Sequence, residues 1–165
     1  MKAIKTELGY FLPITTLIGL KELRWQQTPF LENPDLKDKN QEVSCETIEQ
    51  LEEYFSGRLT RFSLRIDFSS WSYAMARWFR TLGLVPYGQT TTYQGLAERW
   101  GNMKAARAAG QACRKNPIPI IIPCHRILNT SSSISRYSGG GKKDPTNREN
   151  LARKRWLLSF ETENS

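Results

Sequence analysis

Histidine is almost missing from this chain: His125 is the only one in 165 residues. Cysteine is scarce too, at positions 45, 113 and 124. An odd number cannot pair fully, and the spacings fit neither a disulfide framework nor a zinc site, which would ask for more histidine. The three are therefore read as thiols, with no metal and no cofactor expected. No apolar run approaches the roughly 20 residues that span a bilayer. The first residues, Met1-Lys2-Ala3-Ile4-Lys5-Thr6-Glu7, have neither the apolar stretch nor the cleavage site of a secretory signal. These absences lead us to expect a soluble, cytoplasmic protein without membrane contact.

Acidic residues are outnumbered, 16 against 24 Lys and Arg for a net charge of +8, and the shortage is confined to one part of the chain. Residues 71–165 carry 15 basic and 5 acidic side chains, whereas residues 1–70 carry 9 and 11. So lopsided a charge suits a surface that meets a polyanion, with nucleic acid first and an anionic membrane second; a merely solvated basic face is the bland alternative. With 39 % hydrophobic residues a packed core is expected, and 165 residues make one ordinary domain or two small ones.

Residues 1–69 read as an α/β domain. Strands are expected around 10–20 and 23–27, then a polar, proline-bearing loop over 28–40. Ser44 can cap a helix with Ile48, Leu51, Tyr54 and Phe55 on one face and Gly57 at its end. Phe62, Leu64 and Ile66 alternate as in a half-buried strand over 60–66. No constellation of catalytic residues falls in this part. Residues 70–165 form the second expected domain, mostly α. Its first helix, capped by Ser69 or Ser70, carries Trp71, Met75, Trp78, Phe79 and Leu82, most simply as core. Helices over 92–99 and 104–115 flank Gly101-Asn102, which is the punctuation of a helix-turn-helix. The second of these is built from small residues, among them Ala105, Ala106, Ala108 and Gly110, interleaved with Arg107, Arg114 and Lys115. Small side chains let another backbone approach closely. That backbone is a neighbouring helix in the plain reading and DNA in the functional one.

Residues 118–123, apolar and β-branched, predict a buried strand that delivers Pro123-Cys124-His125-Arg126. A thiol is a poor nucleophile until it loses its proton, and a neighbouring imidazole or cation assists that loss. Adjacent residues of an extended segment point opposite ways, so a water or a turn has to connect Cys124 to His125. By itself the dipeptide leaves an inert thiol and a core histidine at even odds with catalysis.

The surroundings of this dipeptide are more specific. Pro123-Cys124-His125-Arg126, preceded by Asn116-Pro117-Ile118-Pro119-Ile120-Ile121-Ile122 and followed by Tyr137-Ser138-Gly139-Gly140 and Trp156-Leu157-Leu158, resembles the O6-alkylguanine-DNA alkyltransferases (methylated-DNA–protein-cysteine methyltransferases). The resemblance runs through about residues 78–161. More weakly, the N-terminal part resembles the family's ribonuclease-H-like α/β domain, which would sit beside a helix-turn-helix C-terminal domain of winged-helix-like build. It implies a single-turnover repair protein, a monomer acting on double-stranded DNA that carries O6-alkylguanine, with O4-alkylthymine left open as a second substrate. On this resemblance Cys124 is the alkyl acceptor, and His125, oriented by Glu161, takes the thiol proton through a water. Asn116 joins the helix-turn-helix to the active site, and Tyr93 can protonate the guanine at N3. Arg107 is the finger that replaces the flipped nucleotide in the stack. The small-residue helix, with Ala105, Ala106, Ala108, Gly110 and Arg114, lies in the minor groove. Tyr137, Ser138 and Gly139 close over the base, with the Ser138 amide toward O6 and the carbonyls of Cys124 and Ile127 toward the guanine amino group.

The chain departs from the family pattern at Arg136, where Asn or Gly is usual, at a polar insertion over 141–150, and at Ala74-Met75, where Phe-Gln is common. The family's occasional zinc ligands are missing. Three other readings compete. A lesion-binding relative without transferase activity would carry another residue at position 124, a helix-turn-helix regulator would want a dimer seam or a further domain, and a thiol hydrolase would need turnover.

Overall fold

The computed structural model describes residues 2–31, 38–139, 144 and 146–165. Gly140 and positions 141–143 and 145 of the 141–150 insertion lie outside the described residues, as do positions 32–37 of the expected 28–40 loop. The chain divides into two units, Met1–Ser70 and Trp71–Ser165.

The first unit is an antiparallel sheet in the order β1 (Ile4–Thr6), β2 (Gly9–Thr15), β3 (Leu20–Gln26), packed against helix α1 (Gln41–Phe55). Phe11, Leu12, Leu20 and Leu23 of the sheet and Val43, Leu51 and Tyr54 of the helix are buried. The strand expected over 10–20 stops at Thr15. Thr16 there turns the chain, its hydroxyl accepting from Ile18 N and its amide donating to Gly19 O. Asn40, not Ser44, caps α1: its side chain accepts from Val43 N at 3.2 Å. Ser44 lies inside the helix, buried, because Asp38 takes its hydroxyl at 2.9 Å. The 60–66 stretch shows the expected alternation of exposure but is not a strand. Gln50 occupies both backbone groups of Ser63, and among the described residues the pairing with the sheet is a parallel bridge between Leu20 and Ile66.

The second unit is mostly helical. Ser72, in place of Ser69 or Ser70, caps α2 (Tyr73–Gly83), its hydroxyl accepting from Met75 N at 3.3 Å. Trp71 therefore precedes the helix and packs edge-on against Phe79. Two short parallel strands, β4 (Thr91–Thr92) and β5 (Ile127–Leu128), tie the start of α3 (Tyr93–Trp100) to the segment that follows Cys124. A 3-10 turn (Met103–Ala105) leads into α4 (Ala106–Lys115), and α5 (Arg148–Glu163) ends the unit. The expected pairing of an α/β N-terminal part with a helix-turn-helix C-terminal part is the architecture found. One element differs in kind. Residues 118–123 form a buried, tightly folded loop, with Ile122 N donating to Ile118 O and Cys124 N to Ile122 O. Pro117, Pro119 and Pro123 withhold amide donors, so the segment cannot join a ladder. Ile120 meanwhile takes φ +74°, a costly conformation for a β-branched residue. Among the described residues no helix is long and apolar enough to cross a membrane.

Candidate active site and nucleic-acid interface

The helix-turn-helix is set by its caps. Thr92 accepts from Gly95 N at 3.0 Å, Gly101 ends α3 at φ +100°, and Asn102 accepts from Lys104 N at 3.0 Å. On α4, Ala109 and Ala112 face the core, Arg107, Ala108 and Arg114 are exposed, and Ala105, Ala106 and Gly110 are half-buried. The small residues are therefore only partly accounted for by packing. A Cβ added at Gly110 would meet nothing nearer than the Tyr93 ring, at 3.9 Å.

Cys124, His125 and Arg126 occupy one 3-10 turn and are all buried. This turn, not an extended segment, is what connects the thiol to the histidine. Glu161 reaches it from α5. His125 Nε2 lies 2.8 Å from Glu161 Oε1, and Arg126 grips the same carboxylate with Nε and Nη2, both at 2.9 Å. Arg126 Nη1 also donates to Val85 O, and Gly88 N to Glu161 Oε2. Burial would raise the Glu161 carboxyl, but the hydrogen bonds and charges of His125 and Arg126 outweigh it and hold the group well below the usual carboxylate range. His125 is driven the other way: burial lowers its pKa more than Glu161 raises it, so the imidazole is neutral near pH 7. With Nε2–H given to an ionised carboxylate, the lone pair is on Nδ1. That nitrogen is buried and has no protein partner among the described residues.

Burial pushes the Cys124 thiol up, while the Asn116 hydrogen bond and the Lys154 charge pull it back only in part. Adjacency to histidine therefore does not make a standing thiolate. Asn116 ends α4 and bridges to the turn, with Nδ2 donating to Ile122 O at 2.7 Å and to Cys124 Sγ at 3.1 Å, and Oδ1 accepting from Ile118 N at 3.0 Å.

Above Cys124 opens a cavity of about 380 Å³. Of the residues singled out in the sequence, Tyr93, Ala106, Arg107, Gly110, Arg114, Tyr137 and Ser138 line it together with Cys124. His125, Asn116 and Glu161 are in the hydrogen-bonded shell around the Cys124 turn, while Ala105, Ala108, Ile127 and Gly139 are not part of the lining. Burial raises the Tyr93 hydroxyl far above its ordinary value, so it is a protonated donor.

Sequence reasoning missed Lys154 and Cys113. Lys154, 1 % exposed, donates from Nζ to the carbonyls of Ile127 and Arg136, joining α5 to the segment after Cys124 and to the cavity residue Arg136. The Ile127 carbonyl, expected to face a guanine amino group, thus already holds an ammonium. In the run Arg153-Lys154-Arg155 nothing but helical phase separates the fully buried cation from a half-buried one and an exposed one. Cys113 lines the same cavity as Cys124, but burial holds its thiol well above the ordinary value and no hydrogen bond from an amide side chain offsets this. No group of three or more metal-ligating side chains is found among the described residues.

Two family models match the chain: the 6-O-methylguanine DNA methyltransferase, DNA binding domain, over residues 75–163, and the ribonuclease-like domain of the same methyltransferase over residues 2–68. The chain belongs to the 6-O-methylguanine DNA methyltransferase family. A methylated-DNA–protein-cysteine methyltransferase of Mycolicibacterium paratuberculosis is 37 % identical over 155 residues, covering 93 % of this chain and 83 % of the relative. One from Mus musculus is 47 % identical over 83 residues, which is 50 % of this chain and 35 % of the mouse protein. The crystal structure of Mycobacterium tuberculosis OGT in complex with DNA superposes with a TM-score of 0.77 at 30 % identity, covering 99 % of this chain and 92 % of that one. Family membership ties the basic C-terminal unit to DNA and the ribonuclease-like unit to the N-terminal sheet.

Proposed function

We propose that this protein repairs DNA by taking the alkyl group of O6-alkylguanine onto its own Cys124, once and irreversibly. The observation that carries this reading is a buried Cys124–His125–Glu161 set whose one open nitrogen, His125 Nδ1, belongs to the histidine beside a thiol on the cavity floor. A thiol raised by burial needs a base at the moment of attack, and a neutral imidazole fixed by an ionised carboxylate supplies one. His125 Nδ1 takes the Cys124 proton, through a water or directly. The sulfur attacks the sp³ carbon on O6, the carbon–oxygen bond breaks, and its electron pair returns to the purine. Tyr93, protonated and lining the cavity, can deliver a proton to N3 and so improve the leaving group. The product is a thioether, which water does not hydrolyse, so the protein is consumed.

Reaching O6 inside a cavity requires the nucleotide to leave the stack, at a cost of a few kcal/mol. Arg107 is exposed at the start of α4, where it can fill the gap, while Ala105, Ala106, Ala108 and Gly110 admit the strand backbone in the minor groove. Tyr137, Ser138 and Gly139 close over the base. The substrate is double-stranded DNA bearing the lesion, and the protein acts as a monomer in the cytoplasm. Loss of O6-methylguanine from a labelled duplex should plateau at one lesion removed per protein, however long the incubation. Removal of several lesions per protein would refute the single-use transfer.

A further inference from the structure

The rim of the cavity above Cys124 carries charge that the transfer chemistry does not use. Three guanidinium groups line it, those of Arg107, Arg114 and Arg136, and among the described residues no carboxylate does. Among the described residues none of the three has a hydrogen-bond or ion-pair partner for its guanidinium. Arg77, Arg99, Arg126 and Arg153 of the same unit are all engaged by carbonyl or carboxylate oxygens. Arg114 and Arg136 stand on the lining of the same cavity. Asp144, whose carboxyl is held low first by hydrogen bonds from Thr146, feels both of them, and Arg136 further opposes the effect of burial on the Tyr93 hydroxyl. Arg136 projects from a fixed point, because its carbonyl accepts from the buried Lys154 Nζ at 3.2 Å and the next residue, Tyr137, is buried. Two guanidinium groups lining one cavity invite an anion, and the planar fork of arginine matches the oxygens of a phosphate.

We propose that Arg136, with Arg114 beside it, is a phosphate clamp at the mouth of the Cys124 cavity, gripping the backbone phosphate next to the nucleotide that enters. The inference rests on the transfer reading above. A base taken into the cavity leaves its sugar and phosphate at the rim, where these two side chains stand. The charge at position 136 then anchors the closing loop to a DNA strand, so the protein discriminates between a lesion in a strand and the same alkylated base free in solution.

The test compares wild type, Arg136→Gln and Arg136→Lys for alkyl transfer from an O6-methylguanine duplex and from free O6-benzylguanine, over a KCl series. It also uses duplexes in which one phosphate flanking the lesion is an uncharged methylphosphonate. Arg136→Gln should slow the duplex reaction about tenfold and reduce the slope of log rate against log [KCl] by about 0.9. On the free base its rate should stay within about twofold of wild type. Arg136→Lys should restore the salt slope but only part of the rate, since an ammonium lacks the fork. Methylphosphonate at one flanking position should slow wild type and leave Arg136→Gln unaffected. An unchanged salt slope in Arg136→Gln, or methylphosphonates that slow both proteins equally, would overturn the clamp. A wild-type protein that takes no alkyl group from either substrate would overturn the transfer reading instead.

Discussion

At the scale of single residues, the cavity holds two thiols and the surroundings choose between them. Desolvation pushes both up, Cys124 buried and Cys113 half-buried, but only Cys124 has the Asn116 amide on its sulfur and the His125 turn beside it. Cys113→Ala should therefore leave one alkyl group per chain and a rate within about twofold of wild type, measured by mass and by single-turnover kinetics. Asn116→Ala removes donors to Ile122 O and Cys124 Sγ and the acceptor for Ile118 N. It should cost about 1–3 kcal/mol in a urea titration and slow transfer as well. The buried carboxylate and imidazole also set a pH dependence. Both folded-state values lie below the ordinary ones. Stability from each is thus complete above the unfolded-state pKa and is lost as pH falls. Thermal melting should hold steady from pH 8 to about 7, begin to fall below about 6.5 as His125 is asked to charge, and fall again below about 4.5 as Glu161 is asked to protonate. A melting temperature that rises on acidification would contradict these assignments.

At the scale of elements, α4 is a helix whose sequence makes sense only with something outside the protein in view. Gly110 weakens the helix, and nothing in the fold demands it, since an added Cβ would be in ordinary contact with Tyr93. Gly110→Ala should stabilise the unit by about 0.5–1 kcal/mol. Because the methyl intrudes on the face proposed to meet DNA and on the cavity wall, duplex repair should slow at the same time. Gains in both stability and repair would argue that α4 does not lie against DNA. The elements also show what was legible in advance. The helix-turn-helix, its small-residue second helix and the Gly101 stop could be read from local punctuation, because caps and glycine act within a few residues. The 118–123 segment was not legible: its β-branched composition argues for a strand, and what overrides it is three prolines and a positive φ at Ile120. The 60–66 alternation likewise pointed to a strand that Gln50, ten or more residues away, pre-empts. Lys154 was invisible for a similar reason, since its burial is decided by carbonyls of Ile127 and Arg136 that come near only in the folded chain.

At the scale of the whole molecule, the division of charge is the division of labour. The N-terminal unit, slightly acidic, holds a sheet and a helix and none of the cavity residues, while the basic C-terminal unit holds the reactive turn and the exposed arginines. Binding to undamaged duplex should fall steeply with salt, roughly 0.9 in log–log slope for each phosphate neutralised. Cys124→Ala should bind with the same slope, because the sulfur is at the cavity floor and not among the cations.

The central claim is that Cys124 is a reagent consumed in repair. Peptide mass mapping after reaction with an O6-methylguanine duplex tests it most directly. The account predicts one methyl group on the peptide containing Cys124, stoichiometric with repaired lesion, none on the Cys45 or Cys113 peptides, and no transfer by Cys124→Ala. Repair with Cys124 left unmodified, or a methyl group found on Cys113 instead, would contradict it.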